Sequence, residues 1–332
     1  MAPCHVASGV LLLLLVDASP GPLRRMVGAT AGIKTASEPR MADEVATKRV
    51  AIIGGSFGGW KVAKSLSGLN ERRTPDGDRV KLDVTLIDRA DYFEYTPGVL
   101  RALVQPSVIP MLHSDIGAGT DARVVRGDVV GIKDDKILYK GLNGSPSDNP
   151  SELEFDFCVI ATGSEYSHPI KAKGDGHEWT REEREKVLLE KAWQLGNASD
   201  VAIVGGGIVG VELAADIIYK YPDKNVKVLD MQNSLLPELP PQCGKYAQKW
   251  LEKKGVSIEL GAPADLNTLR EQDYQIFMCV GNKPNGHVYK TDEEESETPP
   301  PAVPAKRPPP RGALNVDRMV CLRRLFFFFL RG

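Results

Sequence analysis

The sequence predicts an α/β chain with two Rossmann-like units, each a parallel sheet covered by helices, and three observations predict it. Residues 49–53 (RVAII) form a short β-branched run that ends in Gly54-Gly55-Ser56-Phe57-Gly58-Gly59, and WKVAKSL follows with helical spacing. The same order returns at residues 201–204 (VAIV), Gly205-Gly206-Gly207-Ile208-Val209-Gly210 and then VELAADIIYK. Each copy is followed by a further apolar strand that ends in an acid, Asp88 after LDVTLI and Asp230 after VKVL.

Length and charge agree with this reading and narrow the partners. A chain of 332 residues is comfortable for two domains at about 100–200 residues each. Lys and Arg total 42 against 44 for Asp and Glu, a net charge of −2, so no basic footprint for nucleic acid is present. Cys4, Cys158, Cys243, Cys279 and Cys321 show no CxxC or CxxxxC spacing, which predicts neither a zinc site nor a local redox disulfide. Cys158 and Cys279 lie in apolar runs, where a cysteine behaves as a small buried hydrophobe. The five histidines are dispersed, and no metal is expected.

The order strand, glycine turn, helix has a physical purpose. A tight turn brings the backbone close to a pyrophosphate, and free N–H groups at the helix N-terminus hold its negative charge. In the first copy Gly54, Ser56 and Gly59 occupy the three fingerprint positions, with serine where a second glycine is usual. Its hydroxyl could bond a phosphate or its Cβ could push one away, and both readings stand. Asp88 would accept both ribose hydroxyls of an adenosine, or be a solvated charge at a strand end. It lies farther from Gly54 than the usual ~20 residues, and residues 70–79 (NERRTPDGDR) read as a surface loop that absorbs the excess. In the second copy Gly205, Gly207 and Gly210 complete the fingerprint, and Asp230 would repel a 2′-phosphate. NADH is therefore favoured over NADPH, with Lys227 and Gln232 leaving the point open.

With two such sites the chain resembles the flavoprotein reductases in which an NAD(P)H domain is inserted in an FAD domain. Residues 156–164 (DFCVIATGS) resemble the strand and ATG turn that closes the first FAD segment, and residues 275–285 (QIFMCVGNKPN) resemble its counterpart leading out of the NAD domain. Residues 91–106 (DYFEYTPGVLRALVQP) and 235–241 (LLPELPP) are similar to the apoptosis-inducing-factor-like and ferroptosis-suppressor-like branch. The resemblance implies two nested dinucleotide-binding domains, with FAD held by Gly54, Gly55, Ser56, Phe57, Gly58, Gly59, Asp88, Ala161, Thr162 and Gly163. It implies NAD(P)H at Gly205, Gly207, Gly210, Asp230 and Gly281, Pro97 and the peptide around Tyr95 and Gly98 lining the flavin, and Glu212 near the nicotinamide–flavin junction. For Glu212 the alternative is a first-turn acid that satisfies a helix dipole. The implied activity is hydride transfer from NAD(P)H to FAD and electron transfer onward to a quinone or other small-molecule acceptor.

The expected organisation is an N-terminal extension at 1–47, an FAD-binding domain at 48–166, an NAD(P)H-binding domain at 167–290, a disordered acidic and proline-rich linker at 291–311 and a truncated FAD-domain remnant at 312–332. The extension carries the apolar run GVLLLLLV (9–16) with small residues near Ala18. It reads as a secretory leader, as a transit peptide with Arg24, Arg25 and Lys34, or as sequence upstream of a start at Met41, the preferred reading. That start favours the cytoplasm, while secretory entry would make Asn143 and Asn197 glycosylation candidates. The run LFFFFL (325–330) is too short to span a bilayer and could only touch its interface, which leaves peripheral membrane association open. The resemblance implies a returning FAD strand, an FAxGD-type motif and a C-terminal domain beyond the NAD domain, and residues 312–332 are expected not to supply them. The first sheet is accordingly expected to keep an exposed edge. The stretch 261–274 looks shortened. Two functions compete, an FAD-dependent NAD(P)H oxidoreductase and a nucleotide-responsive regulatory protein without turnover. A disulfide reductase fails on cysteine spacing.

Overall fold

The computed structural model describes residues 14–17, 45–69, 72–73, 79–133, 135–142, 149–174 and 176–285, with backbone alone for 14–17 and 72–73. In chain order the first unit contains β1 (Leu14–Asp17), β2 (Ala46–Ile53), α1 (Phe57–Leu66), β3 (Arg72–Arg73), β4 (Arg79–Asp88) and β5 (Tyr92–Glu94). It continues with α2 (Val99–Val104), β6 (His113–Asp115), β7 (Arg123–Lys133), β8 (Lys136–Gly141), β9 (Ser151–Glu154) and β10 (Phe157–Ile160). The sheet runs β1-β10-β2-β4-β7-β8-β9, and β3 pairs with the start of β4.

Strands β10, β2, β4 and the first four residues of β7 are parallel. Period-two alternation explains why β2 reads as a continuous apolar run, because both of its faces are covered. Val50 and Ile52 join Ala63 of α1, Leu86 and Val159 on one side. Ala51 and Ile53 join Ile87, Ile137, Phe155 and Ile160 on the other. That second cover is an antiparallel meander: β7 passes a bulge between Val129 and Gly131 while pairing with β8, and β8 pairs with β9. Helix, parallel sheet and meander make three layers.

The second unit contains β11 (Ser164–Tyr166), α3 (Arg181–Asn197), β12 (Asp200–Val204), α4 (Ile208–Lys220), β13 (Asn225–Asp230), α5 (Pro241–Lys253), β14 (Ser257–Leu260), α6 (Leu266–Glu271), β15 (Gln275–Met278) and β16 (Asn282–Pro284). Its sheet, β14-β13-β12-β15, is parallel throughout. Val201, Ile203, Val226, Val228 and Phe277 pack with Leu213 and Ile217 of α4 and Leu251 of α5. Ala202 and Leu229 face Leu269 of α6. The chain enters this unit through β11 and leaves through β16, which pair antiparallel with Ser164 opposite Pro284.

One expectation changes. The edge beside β10 is not left open: Leu14–Asp17 lies antiparallel along it, Leu14 opposite Ile160 and Asp17 opposite Phe157. Backbone groups on that edge gain ladder partners from a chain segment of high apolar content. The stretch 261–274 carries the short crossover helix α6, started by Asp265, whose Oδ1 accepts from the N–H groups of Asn267 and Thr268 at 3.0 and 3.2 Å. The readings placed on residues 286–332, including the linker and LFFFFL, and the Asn143 sequon lie outside the described residues. Asn197 is exposed at the end of α3. Among the described residues no helix is long and apolar enough to cross a membrane.

Candidate functional site

The two glycine turns are built from the same contacts. Gly54 N–H donates to the Ile87 carbonyl and Gly205 N–H to the Leu229 carbonyl, both at 2.8 Å. Gly54 and Gly205 have φ of +96° and +121°, and a Cβ on either would lie 2.4 Å from the Ala161 carbonyl oxygen or 2.5 Å from that of Cys279. Gly59 and Gly210 face the carbonyl of the first glycine in their own turns, where a Cβ would stand 1.7 and 1.9 Å from oxygen. These glycines let helix and strand pack closely.

The middle position differs between the copies without strain. Ser56 has φ −77° and ψ −157°, and Gly207 has φ −73° and ψ −172°, so neither is in the left-handed region. A Cβ at Gly207 would meet nothing within 4 Å. The hydroxyl of Ser56 does not cap α1, and neither α1 nor α4 has an acid in its first turn. The leading N–H groups of both helices, with Phe57 and Gly58 in the first turn of α1, are thus open to an anion.

Asp88 and Asp230 stand at corresponding strand ends and brace their turns. Asp88 accepts from Gly55 N–H at 2.6 Å and Ala90 N–H at 2.8 Å. Asp230 accepts from Gly206 N–H and, at 2.8 Å, from Gln232 N–H. Burial raises the Asp88 carboxyl above its usual range, opposed by those N–H groups. Neither acid is a free strand-end charge.

The ATG turn meets the strand that leaves the second unit. Thr162 Oγ1 donates to the Asn285 carbonyl at 2.6 Å, Asn285 Nδ2 donates to the Thr162 carbonyl at 3.1 Å, and Asn285 N–H donates to Gly163 O at 3.0 Å. Ala161 is buried, and its N–H donates to Ile53 O. Gly163 and Gly281 have φ of +69° and +83° with nothing within 4 Å of a Cβ. Pro97 is exposed in a short 3-10 turn, Thr96–Gly98, that leads into α2. The ring of Phe57 lies edge-on to Phe93 at 5.1 Å and to Tyr95 at 5.9 Å, which brings the first turn beside the Tyr95–Gly98 peptide.

Glu212 is the fifth residue of α4, beyond the first turn, so the helix-dipole alternative loses its premise. Burial and the nearby Asp216 push its carboxyl up to about 7, opposed by Arg101. Asp216 is 2% exposed. Its Oδ1 lies 2.8 Å from Nη2 of Arg101 on α2, yet the N–H direction leaves that oxygen without a hydrogen bond, so the contact is one of charge.

A buried ionic network that the sequence did not announce holds the segment next to Tyr95. Arg184 on α3 is fully buried, with Nε 2.7 Å from Glu94 Oε2, Nη1 2.7 Å from Glu178 Oε2 and Nη2 2.8 Å from the Pro169 carbonyl. His113 lies between Glu94 and Glu185 at 3.3 and 3.2 Å, and His168 lies 3.1 Å from Glu178. The capping box of Thr180 and Glu183 starts α3 and aims Arg184 inward. Thr180-x-x-Glu183 was the sequence signal available for this helix; nothing local marks Arg184 as buried.

Burial alone would raise the Glu178 carboxyl, but His168, Arg184 and the Lys173 N–H bring it down to about 2 from an ordinary 4.5. A carboxyl depressed on folding contributes stability that is complete above the ordinary value and is lost as pH falls towards 2. The contribution is roughly 3 kcal/mol. Urea unfolding at pH 6, 4 and 3 is expected to show a steep fall in stability that flattens in Glu178→Gln. Equal slopes in the two proteins would remove Glu178 from the acid response.

Cys158 and Cys279 are buried, and burial pushes both thiols up to about 12, as small hydrophobes behave. Two surface hollows, one including Asp91, Arg181 and Glu185 and the other Trp193, Asp273 and Tyr274, contain no residue of either glycine turn.

Comparison with known proteins agrees with this construction. The model of the pyridine nucleotide-disulphide oxidoreductase family matches residues 48–292. Apoptosis-inducing factor homolog B of Dictyostelium discoideum is 30% identical over 221 residues, 64% of this chain and 51% of that protein. Human ferroptosis suppressor protein 1 is 26% identical over 262 residues, 73% of this chain and 64% of that protein. The chain thus spans about half to two thirds of these relatives. The water-forming NADH oxidase from Lactobacillus brevis bound to NADH shares the fold, with a TM-score of 0.52 and 18% identity over 73% of this chain and 55% of the oxidase. A family match across most of the chain, falling on the two turns described above, identifies it as a member of the pyridine nucleotide-disulphide oxidoreductase family.

Proposed function

We propose that this chain binds FAD at the first turn and NAD(P)H at the second, and passes electrons from NAD(P)H through FAD to a quinone or similar small acceptor. The observation that carries the reading is the repetition of one contact set at two strand–turn–helix junctions, each braced by an acid. Residues 48–166 would form the FAD domain and 167–290 the NAD(P)H domain.

The residues present fit both groups. Open N–H groups at α1 and α4 suit pyrophosphates, and the space over Gly207 admits one closely. Asp88 and Asp230 suit ribose hydroxyls, and Asp230 favours NADH, because a 2′-phosphate would face its charge. Ala161, Thr162, Gly163 and Pro97 would border the flavin, Gly281 the NAD(P)H, and Glu212 the junction of the two rings. When bound, FAD accepts a hydride from NAD(P)H and releases electrons to an acceptor. The net reaction with a quinone, NAD(P)H + H⁺ + Q → NAD(P)⁺ + QH₂, consumes one proton beyond the hydride, and Glu212 is a group able to hold one. Similarity to ferroptosis suppressor protein 1 and apoptosis-inducing factor homolog B supports the branch for which the sequence resemblance implies such an acceptor.

The test is a visible spectrum of the purified chain before and after NADH under anaerobic conditions. A two-banded flavin spectrum that bleaches is expected. A colourless protein that still binds NADH would replace this reading with a nucleotide-binding regulatory protein.

A further inference from the structure

We propose that Arg101 and Asp216 act as a latch between the two nucleotide units that sets the charge on Glu212, which makes Asp216 a positioning residue for hydride transfer. The inference rests on the function proposed above for the role of Glu212, but the latch itself stands on geometry.

Arg101 belongs to α2, which begins where the Tyr95–Gly98 peptide ends, and Asp216 belongs to α4, which begins at the second glycine turn. Their contact at 2.8 Å therefore ties the segment beside the first site to the helix of the second. Around this contact Leu100 and Leu103 of α2 and Leu213 and Ala214 of α4 belong to one buried apolar cluster. Asp216 lies one helical turn beyond Glu212 on the same face.

A buried carboxylate is costly unless paired and hydrogen-bonded. Asp216 is 2% exposed and its Oδ1 has no hydrogen-bond donor; burial raises its carboxyl above the usual range, and Arg101 opposes that rise. Such an arrangement is poor for stability and well suited to tuning a neighbour. The other elements around α4 present apolar side chains: Val201 and Ile203 from β12, Val226 and Val228 from β13, Ala247 and Leu251 from α5. The charges acting on Glu212 are Asp216, which favours its neutral form, and Arg101, which favours its ionised form. A carboxylate at the ring junction favours the cationic oxidised nicotinamide, whereas a carboxylic acid can supply the proton that quinone reduction consumes.

Opposite signs make the latch testable. The full chain, labelled with ¹³C at glutamate carboxyls, is titrated from pH 5 to 9 by NMR, with the Glu212 signal identified by its loss in Glu212→Gln. The wild-type midpoint is expected near pH 7. Asp216→Asn is expected to lower it by about one pH unit, Arg101→Gln to raise it by about one, and Arg101→Lys to leave it in place. Flavin reduction by NADH, followed by rapid mixing over the same range, is expected to show an inflection that moves with the midpoint.

Midpoints that stay fixed, or that move in one direction in both Asp216→Asn and Arg101→Gln, overturn the latch. Midpoints that move while the reduction profile does not overturn the positioning role. Expected midpoints in a chain whose flavin NADH never reduces would leave the latch standing and defeat the oxidoreductase reading instead.

Discussion

An Arg184→Met chain is expected to lose on the order of 3–5 kcal/mol of stability, the largest loss from any single side chain described above. The guanidinium is fully buried and is shared between Glu94 and Glu178, which are 10% and 2% exposed in their side chains. Removing it strands two carboxylates in a dry interior, and that desolvation is the source of the cost. Burial alone would raise the Glu94 carboxyl, yet His113 and Arg184 hold it below its usual range, so the charge is stabilised chiefly by partners that the substitution removes. Thermal unfolding followed by circular dichroism should show a midpoint lower by about 10 °C. Converting the two acids as well, in Arg184→Met/Glu94→Gln/Glu178→Gln, should recover part of the loss, since an uncharged interior has no stranded ions. A single substitution costing under about 1 kcal/mol would mean that water already reaches the carboxylates.

What could be read from the sequence and what could not divide along the range of the contacts. Gly54, Gly59 and Asp88 fall within one strand–turn–helix–strand unit, as do Gly205, Gly210 and Asp230, so local order and spacing carry their geometry. The ATG turn was legible only as a motif. Its bonds to Asn285 span 123 positions, and nothing local encodes them. Arg184 fails for the same reason, because Glu94 lies 90 positions away and REEREK reads as a solvated helix face. For Glu212 the helix-dipole alternative depends on where the helix starts, and the sequence leaves that start open: α4 begins at Ile208, so its first turn closes before Glu212. The apolar run at 9–16 could be recognised as hydrophobic, but composition does not announce that Leu14–Asp17 pairs with a strand 140 or more positions away.

Gly59→Ala and Gly210→Ala should each disable one nucleotide site and spare the other. A methyl at Gly59 would lie 1.7 Å from the Gly54 oxygen, and one at Gly210 would lie 1.9 Å from the Gly205 oxygen. Both obstacles are backbone, so the turn itself must shift, and the N–H groups aimed at the phosphate shift with it. Displacing a bound group by about 1 Å costs on the order of 100-fold in rate. The Gly59→Ala protein is expected to purify with little flavin and still bind NADH, measured by calorimetry. The Gly210→Ala protein is expected to retain its flavin, yet NADH should bleach it about 100-fold more slowly. Gly207→Ser serves as the contrast, because its Cβ meets open space and its dihedrals match those of Ser56. Its unfolding free energy should stay within about 0.5 kcal/mol of wild type. Loss of flavin from both alanine variants together would mean that the turns do not serve separate nucleotides. An unaltered flavin content in Gly59→Ala would move FAD away from the first turn altogether.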